Sequence, residues 1–242
     1  MKLLIVGDSH TGALATAREQ GQAAGTLPDH VDWTIQPLGP GLNMRQSFWE
    51  PRGDHAEITD ETYRKRLPRL PPEDARFDGI GLCMPMWFGR VLRDLVQGDL
   101  TLPGIADGGR MISAALFRDL VLRDQQPALD LAVFLRGLGT PVFAVDTPTV
   151  FRENRYLVRV SPARLLGIVA AHRAVMRAEL ARLGLALVER PEACTQGGFM
   201  RSAFRRKDPT DRHHANAAFG ALMLDRIADR APDLCRMPAP PA

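Results

Sequence analysis

Lysine is nearly absent from this chain of 242 residues: Lys2, Lys65 and Lys207 are its only three, and arginine supplies every other cation. Without a lysine-bearing glycine loop, and without G-x-G-x-x-G after the first apolar run, nucleotide binding of the common kinds is excluded. Cysteine is scarce as well. Cys83, Cys194 and Cys235 are odd in number and far apart, with no C-x-x-C pair and no Cys/His cluster, so neither a disulfide framework nor a metal site is indicated. No run approaches the roughly 20 apolar residues that span a bilayer, and nothing reads as a secretory leader. A cytoplasmic protein with no membrane partner is the expectation. The net charge of +3, with a pI near 9.0, is too small an excess to argue for a nucleic-acid partner.

What is present describes a globular chain, 45% apolar and 24% charged. The length predicts a single domain over residues 1–236, followed by a proline-rich tail at 237–242 expected to be disordered. Lys2–Gly7 is a continuous apolar run ended by glycine, as in a strand buried on both faces. Thr11–Ala24 is rich in residues that lose little side-chain entropy in a helix. Val31–Leu38 reads as a second strand entering the Gly39-Pro40-Gly41 loop. From Asn43 to about Pro72 the chain is polar, with Asp60 a candidate cap for a short helix reaching Leu67.

Gly79–Cys83 predicts a third strand and Thr140–Asp146 a fourth, with helical patterns between Phe88 and Leu138 interrupted at Leu102–Gly109. Ser161 and Pro162 then open a helix with Leu165, Val169, His172, Val175 and Leu180 along one stripe, His172 at the edge of the core. Leu185–Val188 is the fifth strand and Ala215–Ala228 a closing helix. Such alternation implies an α/β domain, three-layer α/β/α and flavodoxin-like, with a mostly parallel sheet of about five strands. In these sheets ligands bind beyond the carboxyl ends of the strands, where strand order reverses.

Two segments at such ends carry chemistry. After strand one stands Gly7-Asp8-Ser9-His10, and before the last helix stands Asp211-Arg-His-His214-Ala-Asn216. A serine at its free pKa is a weak nucleophile and needs a base. An Asp three residues before a His can fix the imidazole tautomer and leave the second ring nitrogen free to take the serine proton. Taken singly, each segment also reads as a helix start with a capping carboxylate.

Together they resemble the SGNH (GDSL-like) hydrolase family, whose first block is a Gly-Asp-Ser turn after strand one and whose last is Asp-x-x-His before the terminal helix. Gly7-Asp8-Ser9 and Asp211-x-x-His214 match these blocks, and Asn216 and Gly220 echo the pattern downstream. The resemblance implies a serine esterase acting on a short acyl or acetyl ester, small molecule or glycan, with no cofactor. Ser9 would be the nucleophile, His214 the base, with His213 its competitor, and Asp211 the orienting carboxylate. The oxyanion would be held by the Ser9 N–H and by a glycine after strand two, Gly41 in preference to Gly39. The same triad passing the acyl group to a glycan hydroxyl, and a glycan- or anion-binding module with weakened turnover, are the alternatives.

The chain departs from the family at the third block, where an asparagine is usual and Leu82-Cys83-Met84-Pro85-Met86-Trp87 stands instead. Asn43 and Asn154 are candidate substitutes for that donor. Met84, Met86, Trp87 and Phe88 either line an acyl pocket or seal the sheet end, and Phe199, Met200 and Phe204 share this ambiguity. His10 resembles a Gly-Asp-Ser-His variant of domains that make or remove glycan acetyl esters. Finally, Arg201, Arg205, Arg206, Lys207 and Arg212 against Asp208 and Asp211 give the 201–214 segment the whole chain's surplus of three charges.

Overall fold

The structure, a computed structural model, describes residues 1–73, 75–105 and 108–236. The expected tail, 237–242, and part of the Leu102–Gly109 excursion lie outside the described residues. The strands are β1 Lys2–Asp8, β2 Asp32–Gly39, β3 Trp49–Arg52, β4 His55–Ile58, β5 Arg69–Leu70, β6 Gly79–Cys83, β7 Leu100–Thr101, β8 Arg110–Met111, β9 Val142–Val145, β10 Ala186–Val188, β11 Thr195–Gln196 and β12 Phe199–Met200. The helices are α1 Thr11–Ala24, α2 Glu61–Arg64, α3 Gly89–Gln97, α4 Ala114–Gly137, α5 Pro162–Arg182 and α6 Ala217–Leu234.

Five strands form the central sheet in the order β10-β9-β6-β1-β2, all parallel. This is the doubly wound arrangement. β1 lies between β2 and β6, where the direction of winding reverses, so the crevice at its carboxyl end is where a ligand would lie. The two-residue period of β1 accounts for the layers. Leu3 and Ile5 pack with Leu14, Phe219 and Ile227 of α1 and α6 on one face. Leu4 and Val6 pack with Leu92, Leu131 and Ile168 of α3, α4 and α5 on the other. All four strand residues are fully buried, each contributing about 1.5–3 kcal/mol of apolar transfer.

Glycine at position 7 is required by close approach. A Cβ there would run into the Cys83 carbonyl of β6 and the Thr11 hydroxyl of α1. The turn after β1 is therefore tight, and it delivers the next two residues to the sheet's edge in a fixed register.

Several boundaries differ from the sequence reading. The polar stretch after residue 43 holds a second sheet, β3-β4-β5, antiparallel, with Trp49, Ala56, Ile58 and Leu70 buried. These strands are two to four residues long, too short to display an alternation. The short helix ends at Arg64, with Asp60 accepting the Thr62 and Tyr63 N–H groups as its cap. The closing helix runs on to Leu234 through Pro232, because Ala231 and Leu234 are buried. Pro232 leaves the Ala228 carbonyl without its helical donor. The His30 ring takes it at 3.2 Å. His172 is not at the core edge: it is fully buried on α5, with its ring centroid 6.3 Å from that of Phe88.

Candidate active site

Ser9 stands in the turn between β1 and α1, half-buried. Its hydroxyl lies 2.8 Å from His214 Nε2, and His214 Nδ1 lies 2.9 Å from Asp211 Oδ2. A carboxylate can only accept, so Nδ1 carries the proton and Nε2 accepts from the serine. Asp211 Oδ1 takes the backbone N–H groups of His214 at 3.0 Å and His213 at 3.2 Å. Burial opposes ionisation of Asp211, but those two N–H groups and the His214 ring outweigh it and hold the carboxyl well below the usual range.

The loop carrying this pair is fastened at both sides. Arg206 N–H donates to the His214 carbonyl, and the Asn216 amide donates to the Ala203 and Arg205 carbonyls. Asn216 Oδ1 then caps α6 through the Ala218 and Phe219 N–H groups. One residue thus ends the loop and starts the helix.

Gly41 and Ser9 line one cleft, together with Trp87, Tyr156 and His213. A Cβ on Gly41 would sit 2.8 Å from Asp8 Oδ2, which leaves glycine as the residue that fits. The peptides on both sides of Gly41 are fixed. Tyr63 donates its hydroxyl to the Pro40 carbonyl, and Arg90, ion-paired with Asp124, donates to the Gly41 carbonyl.

Gly39 is elsewhere. It closes β2 at a φ of 152° against the Tyr63 ring, outside the residues lining the cleft. Asn43, expected as a substitute oxyanion donor, is turned away as well. Its amide donates to Asp60 at 3.0 Å, drawn there by the carboxylate that caps α2. Asn154 accepts the Tyr156 N–H at 3.0 Å and lines the outer part of the cleft.

At the third block Met84, Met86 and Phe88 are core, and Trp87 lines the cleft with one edge of Phe88. The Met86 and Trp87 carbonyls are held by Thr147 and Gln125. Phe199 and Met200 are core, and Phe204 packs on Phe219. His10 is fully buried, its ring 4.0 Å from that of Trp87 and 4.8 Å from that of His214 by centroids. Burial, with His214 and His213 nearby, pushes its pKa well down. Asp8 is buried too. Burial raises its carboxyl to about 7, against the opposing pull of the His10 N–H and of Arg90.

His213, the competing base, has its Nδ1 3.6 Å from Asp211 Oδ1, beyond hydrogen-bond range, and faces the cleft. Asp211, His213 and His214 also offer ligand atoms within 4.8 Å of one another, so a divalent cation would compete with the serine for these side chains. Tyr63, Arg90, Arg155 and Tyr156 have no counterpart in the sequence reading, since neither spacing nor composition distinguishes them.

No family model matches the chain, and no curated protein matches its sequence. Solved structures do match. A Bacteroides fragilis protein provisionally assigned as an acylhydrolase superposes with a TM-score of 0.54 at 11% identity, over 97% of this chain and 88% of that one. A GDSL-like lipase from Bacteroides thetaiotaomicron gives 0.51 at 10% identity, over 96% and 88%. The chain has the SGNH hydrolase fold. Within that fold the carboxyl ends of β1 and β2 and the loop before α6 converge on one crevice. Among the described residues no helix is long and apolar enough to cross a membrane.

Proposed function

We propose that the protein is a serine esterase of the SGNH type, acting on a short acyl or acetyl ester of a small molecule or glycan. The observation that carries this reading is the continuous relay from Ser9 Oγ to His214 Nε2, 2.8 Å, and from His214 Nδ1 to Asp211, 2.9 Å. Ser9 attacks the ester carbonyl while His214 takes its proton, and Asp211 stabilises the imidazolium that forms. The N–H groups of Ser9 and Gly41 receive the oxyanion.

Collapse of the tetrahedral species breaks the ester C–O bond, and His214 returns its proton to the departing alcohol. Water, deprotonated by His214, then attacks the acyl-serine and releases the acid. The route draws on side chains and backbone alone. Fixing the Gly41 peptides between Tyr63 and Arg90 supports the preorganisation an oxyanion site needs.

The test is phosphonate labelling combined with p-nitrophenyl acetate turnover. The expected result is one label on Ser9, lost together with turnover in His214→Ala. Undiminished turnover in Ser9→Ala would overturn the reading.

A further inference from the structure

The cleft at Ser9 continues past Trp87 and His213 into a groove of about 250 Å³. Trp87, Phe88, Leu92 and Val150 give the groove an apolar lining, and Arg155 and Arg212 are its charged residues. A third lobe, behind Ser9 and His214, carries Arg206 and Lys207. Among the described residues no aspartate or glutamate lines any of the three.

The groove's two arginines differ from most arginines elsewhere in the molecule. Arg45, Arg90, Arg164, Arg173, Arg177 and Arg190 each pair with a carboxylate. Arg155 instead lies over the Tyr156 ring, 5.0 Å from its centroid, and donates to that hydroxyl at 3.0 Å. Neither Arg155 nor Arg212 has a carboxylate partner among the described residues. Two arginines bordering one apolar concave surface give it a positive potential, and planar forks suit carboxylate and phosphate oxygens.

The chemistry sets which part of an ester would reach them. His214 protonates the departing alcohol, so the alcohol leaves on the imidazole side of Ser9. His213 lines the groove, and its ring centroid is 4.0 Å from that of His214. The groove therefore continues from the leaving-group side.

We infer that the alcohol portion of the substrate is an apolar or aromatic group carrying an anion, carboxylate or phosphate, which Arg155 and Arg212 hold. This rests on the esterase reading of the same site. It makes the protein selective for acidic esters, with the ring or chain against Trp87 and the anion beyond it.

The experiment compares 4-acetoxybenzoate and 4-acetoxyphenyl phosphate with the neutral methyl 4-acetoxybenzoate. Each is measured with the wild type, with Arg155→Glu/Arg212→Glu, and with Arg226→Glu, which changes an exposed arginine on α6 away from the cleft. The expected result is a ratio of anionic to neutral kcat/KM that falls about tenfold or more in the double variant, and falls with added salt in the wild type. Arg226→Glu keeps the wild-type ratio. The larger of the two anionic ratios tells carboxylate from phosphate. An unchanged ratio in the double variant, with Ser9-dependent turnover of the methyl ester, overturns the anion site and leaves the esterase standing.

Calorimetric titration of Ser9→Ala with 4-acetoxybenzoate separates the two claims from the other side. Binding lost on adding Arg155→Glu/Arg212→Glu, with no ester turned over by the wild type, supports the anion site and overturns the esterase. No binding and no anionic preference overturns the anion site.

Discussion

Two aspartate–histidine pairs flank Ser9, and the fold treats them oppositely. Asp8 and His10 are its neighbours in sequence, while Asp211 and His214 come from the far end of the chain. Asp8 accepts the His10 N–H at 2.8 Å with one oxygen, and its other oxygen, buried, has no hydrogen-bond partner. Both His10 ring nitrogens are likewise buried without one. Asp211, by contrast, accepts two backbone N–H groups and a ring N–H, and both His214 nitrogens are engaged. One carboxyl is therefore driven up to about 7 and the other driven down. The same residue types become a buried wall that resists charge on one side and a hydrogen-bonded relay on the other, because hydrogen-bond donors and solvent differ.

The sharpest way to break this contrast is to remove the relay. His214→Ala should lower kcat by on the order of 10⁶-fold, and Asp211→Asn, which removes the charge and frees the tautomer, by about 10⁴-fold. Steady-state kinetics on p-nitrophenyl acetate would check both. An Asp211→Asn variant within tenfold of the wild type would remove Asp211 from the relay.

The wall should respond differently. His10→Phe replaces a ring whose nitrogens make no hydrogen bond, so it should keep turnover within about tenfold and change stability by less than about 1.5 kcal/mol in urea unfolding. A loss of turnover as large as that in Asp211→Asn would make His10 part of the relay.

A third test concerns stability and sharpens the electrostatics. Asp8 stays protonated in the folded protein above its ordinary value of 3.8, up to about 7. Between those values the folded state binds more protons than the unfolded state, so this group's contribution to stability is full below pH 3.8 and is lost as pH rises toward 7. Asp8→Asn should remove that fall. Chemical denaturation across the window would measure it, and an equal slope in both proteins would show Asp8 to be ionised throughout.

Much of this was legible in the residues. The run Leu3–Val6 is apolar because it is buried on both faces, and Ser161 with Pro162 opens a helix by local chemistry alone. The segments Gly7–Ser9 and Asp211–His214 were readable for the same reason: each acts within three or four residues. The β3-β4-β5 sheet was not, since its strands are short and polar and are held by burial against the rest of the core. Nor were Tyr63 and Arg90, whose bonds to the Gly41 peptides span 23 and 49 residues. Asn43 had the right chemistry in the right loop, yet Asp60 claims its amide.

By itself the sequence determined an α/β domain with a mostly parallel sheet of about five strands and the residues at its carboxyl ends, because periodicity acts locally, while the pairing of Ser9 with Asp211-x-x-His214 came from the family resemblance of two distant segments. Tertiary structure alone decided which of two carboxyls is raised and which lowered, which glycine faces the cleft, and that Arg155 and Arg212 border one groove without a carboxylate partner among the described residues. Those properties depend on burial and on packing between elements distant in the chain, and no local pattern carries them.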